Sequence, residues 1–274
     1  MVDRLEVLLA RFSVSARMFH AGALCGINDL TPGDDTGQLH LVRNGTVELV
    51  HDGVPALRVT TPSVLLYPRP MPHRFVTDPD CGADFACAHL RFEGGAANPI
   101  AAALPAFTCL PLTEIDGADG VLALLFEEAF EHRCGRQALL DRLFEVVLIQ
   151  ILRQLMEHGQ TRAGMLAGLA DTRLRRALVA MHEQPAREWS LETLAASAGM
   201  SRSVFANGFR ETVGCTPGAY LQQWRIGLAQ QALRDGRPLK LIASEVGYGS
   251  EAALSRAFKA VLGVSPREWK RAQG

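Results

Sequence analysis

The chain has 274 residues, 48% apolar and 21% charged, with a formal net charge of −1. That length suits about two domains, and the apolar share supports packed cores, which excludes a disordered chain. The opening MVDRLEVLLARFSV mixes charges into its apolar residues, unlike a secretory signal, and no apolar run reaches the ~18 residues of a membrane span. Charge is uneven: residues 171–274 hold 15 Lys and Arg against 9 Asp and Glu, residues 1–170 hold 13 against 20. A basic C-terminal part favours a polyanionic partner. The six cysteines (25, 81, 87, 109, 134 and 215) form no CxxC framework. The expectation is reduced thiols, a cytoplasmic location and no membrane.

Residues 1–110 read as β-rich. Alternation from His40 to Arg43 meets Asn44–Gly45 and resumes from Thr46 to Val50. Asn-Gly between two such runs predicts a hairpin, because both turn residues accept positive φ. A second turn, His51–Gly53, leads into Ala56–Thr60. Val64–Tyr67 reads as a buried strand, and the prolines of 68–72 predict a loop. Strand character returns at His73–Val76 and Phe85–Phe92, then breaks at Glu93–Pro99. Many short strands with Gly and Pro turns predict a small barrel or sandwich.

Helical periodicity begins near Asp119, with Val121, Leu124, Leu125 and Ala129 on one face. A second helix runs from Gly135 to Gly159. Its expected inward residues are Leu139, Leu143, Val146, Val147, Ile151 and Leu155, with Phe144, Leu148 and Leu152 on a further stripe. So wide an apolar surface predicts a second packing partner, a homodimer contact; burial on two sides within one chain is the alternative. The resulting division is 1–160 for the β-rich part with its helices, 161–171 for a linker and 172–274 for a helical domain opened by Thr172–Glu183.

The helical domain holds one pattern twice: Trp189–Pro217 and Pro238–Pro266. In each, a short amphipathic helix ends at a glycine (Gly199, Gly247), a Ser follows as candidate N-cap (Ser201, Ser250), and a second helix carries a Phe inward (Phe209, Phe258). Each closes on Gly-x-Ser/Thr-Pro, 18 residues after the turn glycine in the first copy and 19 in the second. Leu191, Leu194, Ala195 and Ala198, then Ile242, Ala243 and Val246, form the inner faces. Val204, Phe205 and Phe209, then Leu254 and Phe258, line the second helices. The stretch Pro217–Asp235 reads as one helix joining the copies, its Pro in the first turn. Paired helix-turn-helix units of this kind read successive turns of a DNA major groove. Candidate contacts are Arg202, Ser203, Ala206, Asn207 and Arg210 in the first copy, and Glu251, Ala252, Ser255, Arg256 and Lys259 in the second. Asn pairs with adenine, and Arg with guanine or phosphate. Glu251 serves a cytosine or, the preferred reading, its own helix N-terminus.

Residues 172–271 resemble the DNA-binding domain of the AraC/XylS family of transcription regulators. The resemblance rests on Ile242–Ser250, Leu254–Lys259, Gly263–Pro266 and Trp269. It implies double-stranded DNA and RNA polymerase as partners, and activation of transcription. Asn207–Gly208 departs from the basic pair common in such sequences; Gly208 costs the helix ~1 kcal/mol relative to Ala. The N-terminal part is similar to the cupin-type sensor of one AraC subgroup, through His40–Gly45, Leu66–His73 and Cys87–Pro99. The implied fold is α+β: a cupin-like β-barrel with flanking dimerisation helices, then an all-α domain of two helix-turn-helix motifs.

The signal reaching that sensor stays open between four readings. Cys87 and His89 share a strand face and, with His40 and His73, form a candidate site for zinc or another divalent metal. A Cys87 thiolate beside imidazoles would react with oxidants, with Cys25 or Cys81 resolving it. A small organic ligand in the barrel is the third reading; Cys87 as a small buried apolar residue is the fourth. His20, His51, His132, His158 and His182 read as solvated or capping. A cupin enzyme fused to a DNA-binding module needs a carboxylate in its metal set, for which only Glu48 is loosely placed.

Overall fold

The computed structural model describes residues 3–33, 35–131, 133–158 and 163–272. They divide into two compact units, Phe12–Gln160 and a second formed by Met1–Arg11 with Thr161–Gly274. Among the described residues no helix is long and apolar enough to cross a membrane.

After helix α1 (Glu6–Arg11), the first unit runs β1 (Val14–Leu24), β2 (Ile27–Leu30), β3 (Thr36–Asn44), β4 (Val47–His51), β5 (Val54–Val59), β6 (Ser63–Tyr67), β7 (His73–Thr77) and β8 (Ala83–Phe92). Helix α2 (Pro99–Ala103), strand β9 (Thr108–Pro111) and helices α3 (Asp119–Phe130) and α4 (Arg136–Glu157) complete it. The strands form two antiparallel sheets, ordered β1-β8-β3-β6-β9 and β2-β7-β4-β5. One core joins them: Val42, Leu65, Tyr67, Phe85 and Cys87 from the first sheet meet Val47, Leu49, Val59 and Phe75 from the second. This is the β-rich, two-sheet architecture expected of a cupin-like unit.

Three expectations fail here. Asn44–Gly45 closes no hairpin, because β3 is already flanked by β8 and β6 and has no free edge; β4 lies inside the other sheet, between β7 and β5. The hairpin at this end is β4–β5, turning at Asp52–Gly53. On α4, Leu139 and Val146 do not face inward; the buried residues are Leu140, Leu143, Phe144, Val147, Leu148, Ile151, Leu152 and Leu155. On α3 the inner face is Leu122, Leu125 and Ala129, with Leu124 exposed.

Helix α4 does more than supply apolar cover. Strand β1 lies at a sheet edge, where free amides invite wrong pairing. Asp141 accepts the Met18 amide at 2.8 Å, Glu145 accepts that of Ala16 at 3.3 Å, and Gln137 Nε2 donates to the Met18 carbonyl at 3.0 Å. Side chains of the helix thus close the edge as a neighbouring strand would.

The second unit is helical: α5 (Met165–Ala170), α6 (Leu174–Glu183), α7 (Leu191–Ala198), α8 (Arg202–Val213), α9 (Pro217–Arg234), α10 (Leu239–Glu245), α11 (Glu251–Leu262) and α12 (Pro266–Arg271). Residues 161–162 of the expected linker lie outside the described residues. The rest of it folds, since Met165, Leu166 and Leu169 put a buried stripe on α5. Residues 3–11 group with the helices of this unit: Leu5 and Leu8 are buried and α1 packs on α6.

Candidate nucleic-acid interface and signal site

The two copies fold alike. In the first, Ser190 and Thr193 make a capping box that starts α7. Gly199 ends it with φ 66°, and Gly247 ends the second scaffold turn with φ 86°, both in the left-handed region expected of them. Ser250 caps α11 through the Ala253 amide at 3.2 Å, whereas Ser201, at the equivalent position, makes no side-chain cap bond.

Helices α8 and α11 are anchored by Phe205, Phe209, Leu254 and Phe258, all fully buried. Their inward rows are spaced four apart, one helical turn, so the opposite sides must face out. Arg202, Ser203, Asn207 and Arg210 are exposed and Ala206 is half-buried; Glu251, Ala252, Arg256 and Lys259 are exposed and Ser255 is half-buried. Each candidate contact therefore stays outside the core. Val204, expected inward, is 52% exposed, because its neighbour Phe205 holds the inward stripe. Sequence reading missed that Arg202 pairs with Glu192 of α7 at 2.9 Å, an exposed ion pair at the start of the reading helix. The Glu192 backbone amide, Ser190 and then Arg202 hold that carboxyl below its usual range.

Helix α9 packs against α8, α10, α11 and α12. Thr216 caps it through the Ala219 amide at 3.3 Å, and Tyr220, Leu221, Trp224, Leu228 and Leu233 are buried along it. Arg225 donates to the carbonyls of Pro185 at 2.7 Å and Arg187 at 2.9 Å, and its guanidinium sits 5.7 Å from the Tyr248 ring centroid. One half-buried cation thus ties the entry to the first copy to the turn of the second.

In the sheet unit, His40 and His73 meet as expected, with Nε2 atoms 3.1 Å apart. His73 Nδ1 faces the Met71 carbonyl at 2.8 Å, so Nδ1 carries the proton and Nε2 accepts from His40. That leaves His40 Nδ1 as a buried lone pair without a partner among the described residues. Burial, then the neighbouring His73, His89 and His20, push the His40 imidazole well below its usual range; burial brings His73 down to about 4. Tyr67 stacks on His73 at 3.9 Å and bonds His51 at 2.9 Å.

The remaining members of the candidate metal set do not join them. Cys87 lies opposite His40 in register and His89 opposite Gln38, yet among the described residues no three His, Cys, Asp or Glu side chains stand close enough to share a metal. The donor set does not fit zinc. Nor is Cys87 an activated thiol: it is 1% exposed, and burial pushes its pKa up instead of down, because nothing there compensates a thiolate. Cys25 and Cys81 are exposed; Cys81 donates to Asp78 at 3.1 Å, and that bond holds its thiol up as well.

Two histidines expected at the surface are buried: His51 on Tyr67, and His182, which bonds the Tyr220 hydroxyl at 2.7 Å and stacks on Trp224. His158 bonds the Gln154 carbonyl at the end of α4, His20 the Gly22 carbonyl, and His132 lies outside the described residues.

Comparison with known proteins finds a match in each unit. Residues 3–157 match the cupin family model, and residues 194–272 match a helix-turn-helix domain. A putative AraC-like transcription regulator of Streptomyces antibioticus is 46% identical over 133 residues, 48% of this chain and 44% of that protein. One from Streptomyces lividans is 43% identical over 148 residues, 53% and 49% of the two chains. The RCS-specific HTH-type transcriptional activator RclR of Escherichia coli (strain K12) is 28% identical over 212 residues, 76% and 75%. The chain spans about half the length of the two Streptomyces relatives.

Proposed function

This chain belongs to the AraC-type regulators with a cupin N-terminal domain, and from that premise we propose that it is a sequence-specific DNA-binding transcription regulator, an activator, and not an enzyme. The observation that carries the reading is the pair α8 and α11. Each is pinned by fully buried residues and turns a polar row to solvent, and both brace on the single stem α9. Two helices fixed in this way enter successive major-groove segments about one helical turn apart. Asn207, Arg210 and Arg256 read bases or grip phosphate, and Lys259 grips phosphate. The Arg202–Glu192 pair opens when Arg202 turns to the duplex.

The cupin unit receives a small-molecule signal, the chain acts as a homodimer, and RNA polymerase is the downstream partner. Selection from a random duplex library, followed by footprinting, tests the reading. The expected outcome is one enriched site with two protected segments about 10 base pairs apart. No enrichment over random competitor, with or without cell extract as a source of signal, counts against it.

A further inference from the structure

The first sheet has a polar end that the reading above leaves unused. Register sets Arg17 of β1, His89 of β8 and Gln38 of β3 side by side, with Ser15, Arg91 and Thr36 in the next row. Residues opposite across strands, and those two apart along a strand, share a face. On the same strands that face carries Val42, Phe85 and Cys87 into the core. It therefore runs from apolar, through His40, to two guanidinium groups.

At that end Ser15, Arg17, Thr36, His89, Arg91 and Asp141 line a cleft of about 530 Å³, within the range of small-molecule sites. Neither arginine has an ion pair among the described residues. Asp141, the carboxylate present, is engaged by the Met18 amide and by Gln137 Nε2, each at 2.8 Å. The Thr36 hydroxyl donates to the Gly33 carbonyl at 3.0 Å. His89 is held by Phe19, whose ring stacks on it at 4.2 Å, and its Nδ1 is buried with no partner among the described residues. Two like charges facing one cleft repel, and an oxyanion between them removes the repulsion while accepting charge-assisted bonds from both forks.

We propose that this cleft binds the oxyanion of a small organic acid, carboxylate or phosphate, gripped by Arg17 and Arg91 beside His89. That the acid is also the regulatory signal rests on the reading of the cupin unit as the receiver. Calorimetric titration of the full chain with acetate, succinate, hexanoate and inorganic phosphate, each against sodium chloride at equal ionic strength, is the test. At least one probe binds saturably, and Arg17→Gln and Arg91→Gln each weaken it about tenfold or more. Arg58→Gln, exposed on β5 of the other sheet, leaves it unchanged and controls for lost charge. Saturation by the carboxylates alone assigns a carboxylic acid; saturation by phosphate alone assigns a phosphorylated compound. No saturable binding of any probe, or full affinity in the doubly substituted chain with its circular dichroism intact, overturns the proposal. DNA anisotropy on the same samples separates the two readings. A chain that selects its duplex but binds no probe loses the cleft and keeps the regulator. A chain that binds a probe but selects no duplex does the reverse.

Discussion

His182 shows how one side chain couples a fold to pH. It is 1% exposed, bonded to Tyr220 and stacked on Trp224, and burial, with Arg11 adding, brings its pKa down to about 3. The unfolded chain takes up this proton below the ordinary value of 6.5; the folded chain does not until near 3. The stability at stake is fully present above pH 6.5 and is lost as pH falls from there towards 3, by about 1.4 kcal/mol per unit. All three tryptophans, 189, 224 and 269, lie in the helical unit, so urea unfolding followed by their fluorescence reports that unit. Between pH 7.5 and 5.0 the parent chain loses about 2 kcal/mol more than His182→Gln does. Equal losses would remove the histidine from the account. Gly247 makes a steric counterpart. At φ 86°, a Cβ there would stand 2.7 Å from Ala186 Cα and 2.9 Å from the Ala186 carbonyl oxygen, both backbone atoms. Gly247→Ala should cost more than ~2 kcal/mol, above the strain of a left-handed residue alone, measured by the same urea titration. The glycine's conformation was legible in its spacing. Its contact with Ala186 was not, because the two are far apart in the chain.

Among the elements, the reading helices were the most legible, because a one-turn repeat of Phe and Leu fixes which side faces in and leaves the polar row no other place. If Asn207 on that row pairs with one base, as proposed, Asn207→Ala should lower specific affinity by about 1–3 kcal/mol and relax preference at a single position in competition binding. Arg210→Ala should weaken all duplexes alike and flatten the salt dependence by about one unit of slope, if its partner is phosphate. Gly208, beside Asn207, is conformationally idle. A Cβ there meets only Met200 Cε at 3.8 Å, ordinary contact, so Gly208→Ala should stabilise the helical unit by ~1 kcal/mol in thermal or urea unfolding. Elsewhere local signals misled. Asn44–Gly45 carries hairpin chemistry, yet pairing is decided by which strand has an open edge, and β3 has none. A metal was one of four readings open for the histidines of the sheet unit, because sequence spacing shows faces but not distances; His40 and His73 hydrogen-bond to each other. Arg17 and Arg91 escaped notice because β1 carries no turn or alternation strong enough to set its register.

At the scale of the molecule, the split of charge was readable directly, and the split of units nearly so. Leu5 and Leu8 show an apolar face in the sequence but not the helix they pack on, α6. The apolar surface of α4 is apportioned differently from the expectation. Its buried residues are satisfied within the unit, while Leu139 and Val146, two turns apart on one stripe, remain 39% and 38% exposed. Leu124 of α3, the helix packed beside it, is 41% exposed. A two-fold dimer of the kind proposed sets the same stripe against itself, so each Val146 faces its equivalent or a close neighbour. Val146→Glu would then bring like charges together in a desolvated contact, whereas within a monomer the same glutamate sits in water at little cost. Sedimentation equilibrium should show the parent chain as a dimer and Val146→Glu dissociating at least tenfold more readily, with its urea midpoint unchanged. A parent chain that sediments as a monomer, or a variant as tightly paired as the parent, would place the contact elsewhere. Because two double-headed readers joined by such a contact bind one operator as a single ligand, the variant should also lose affinity for a duplicated site while keeping affinity for a single one.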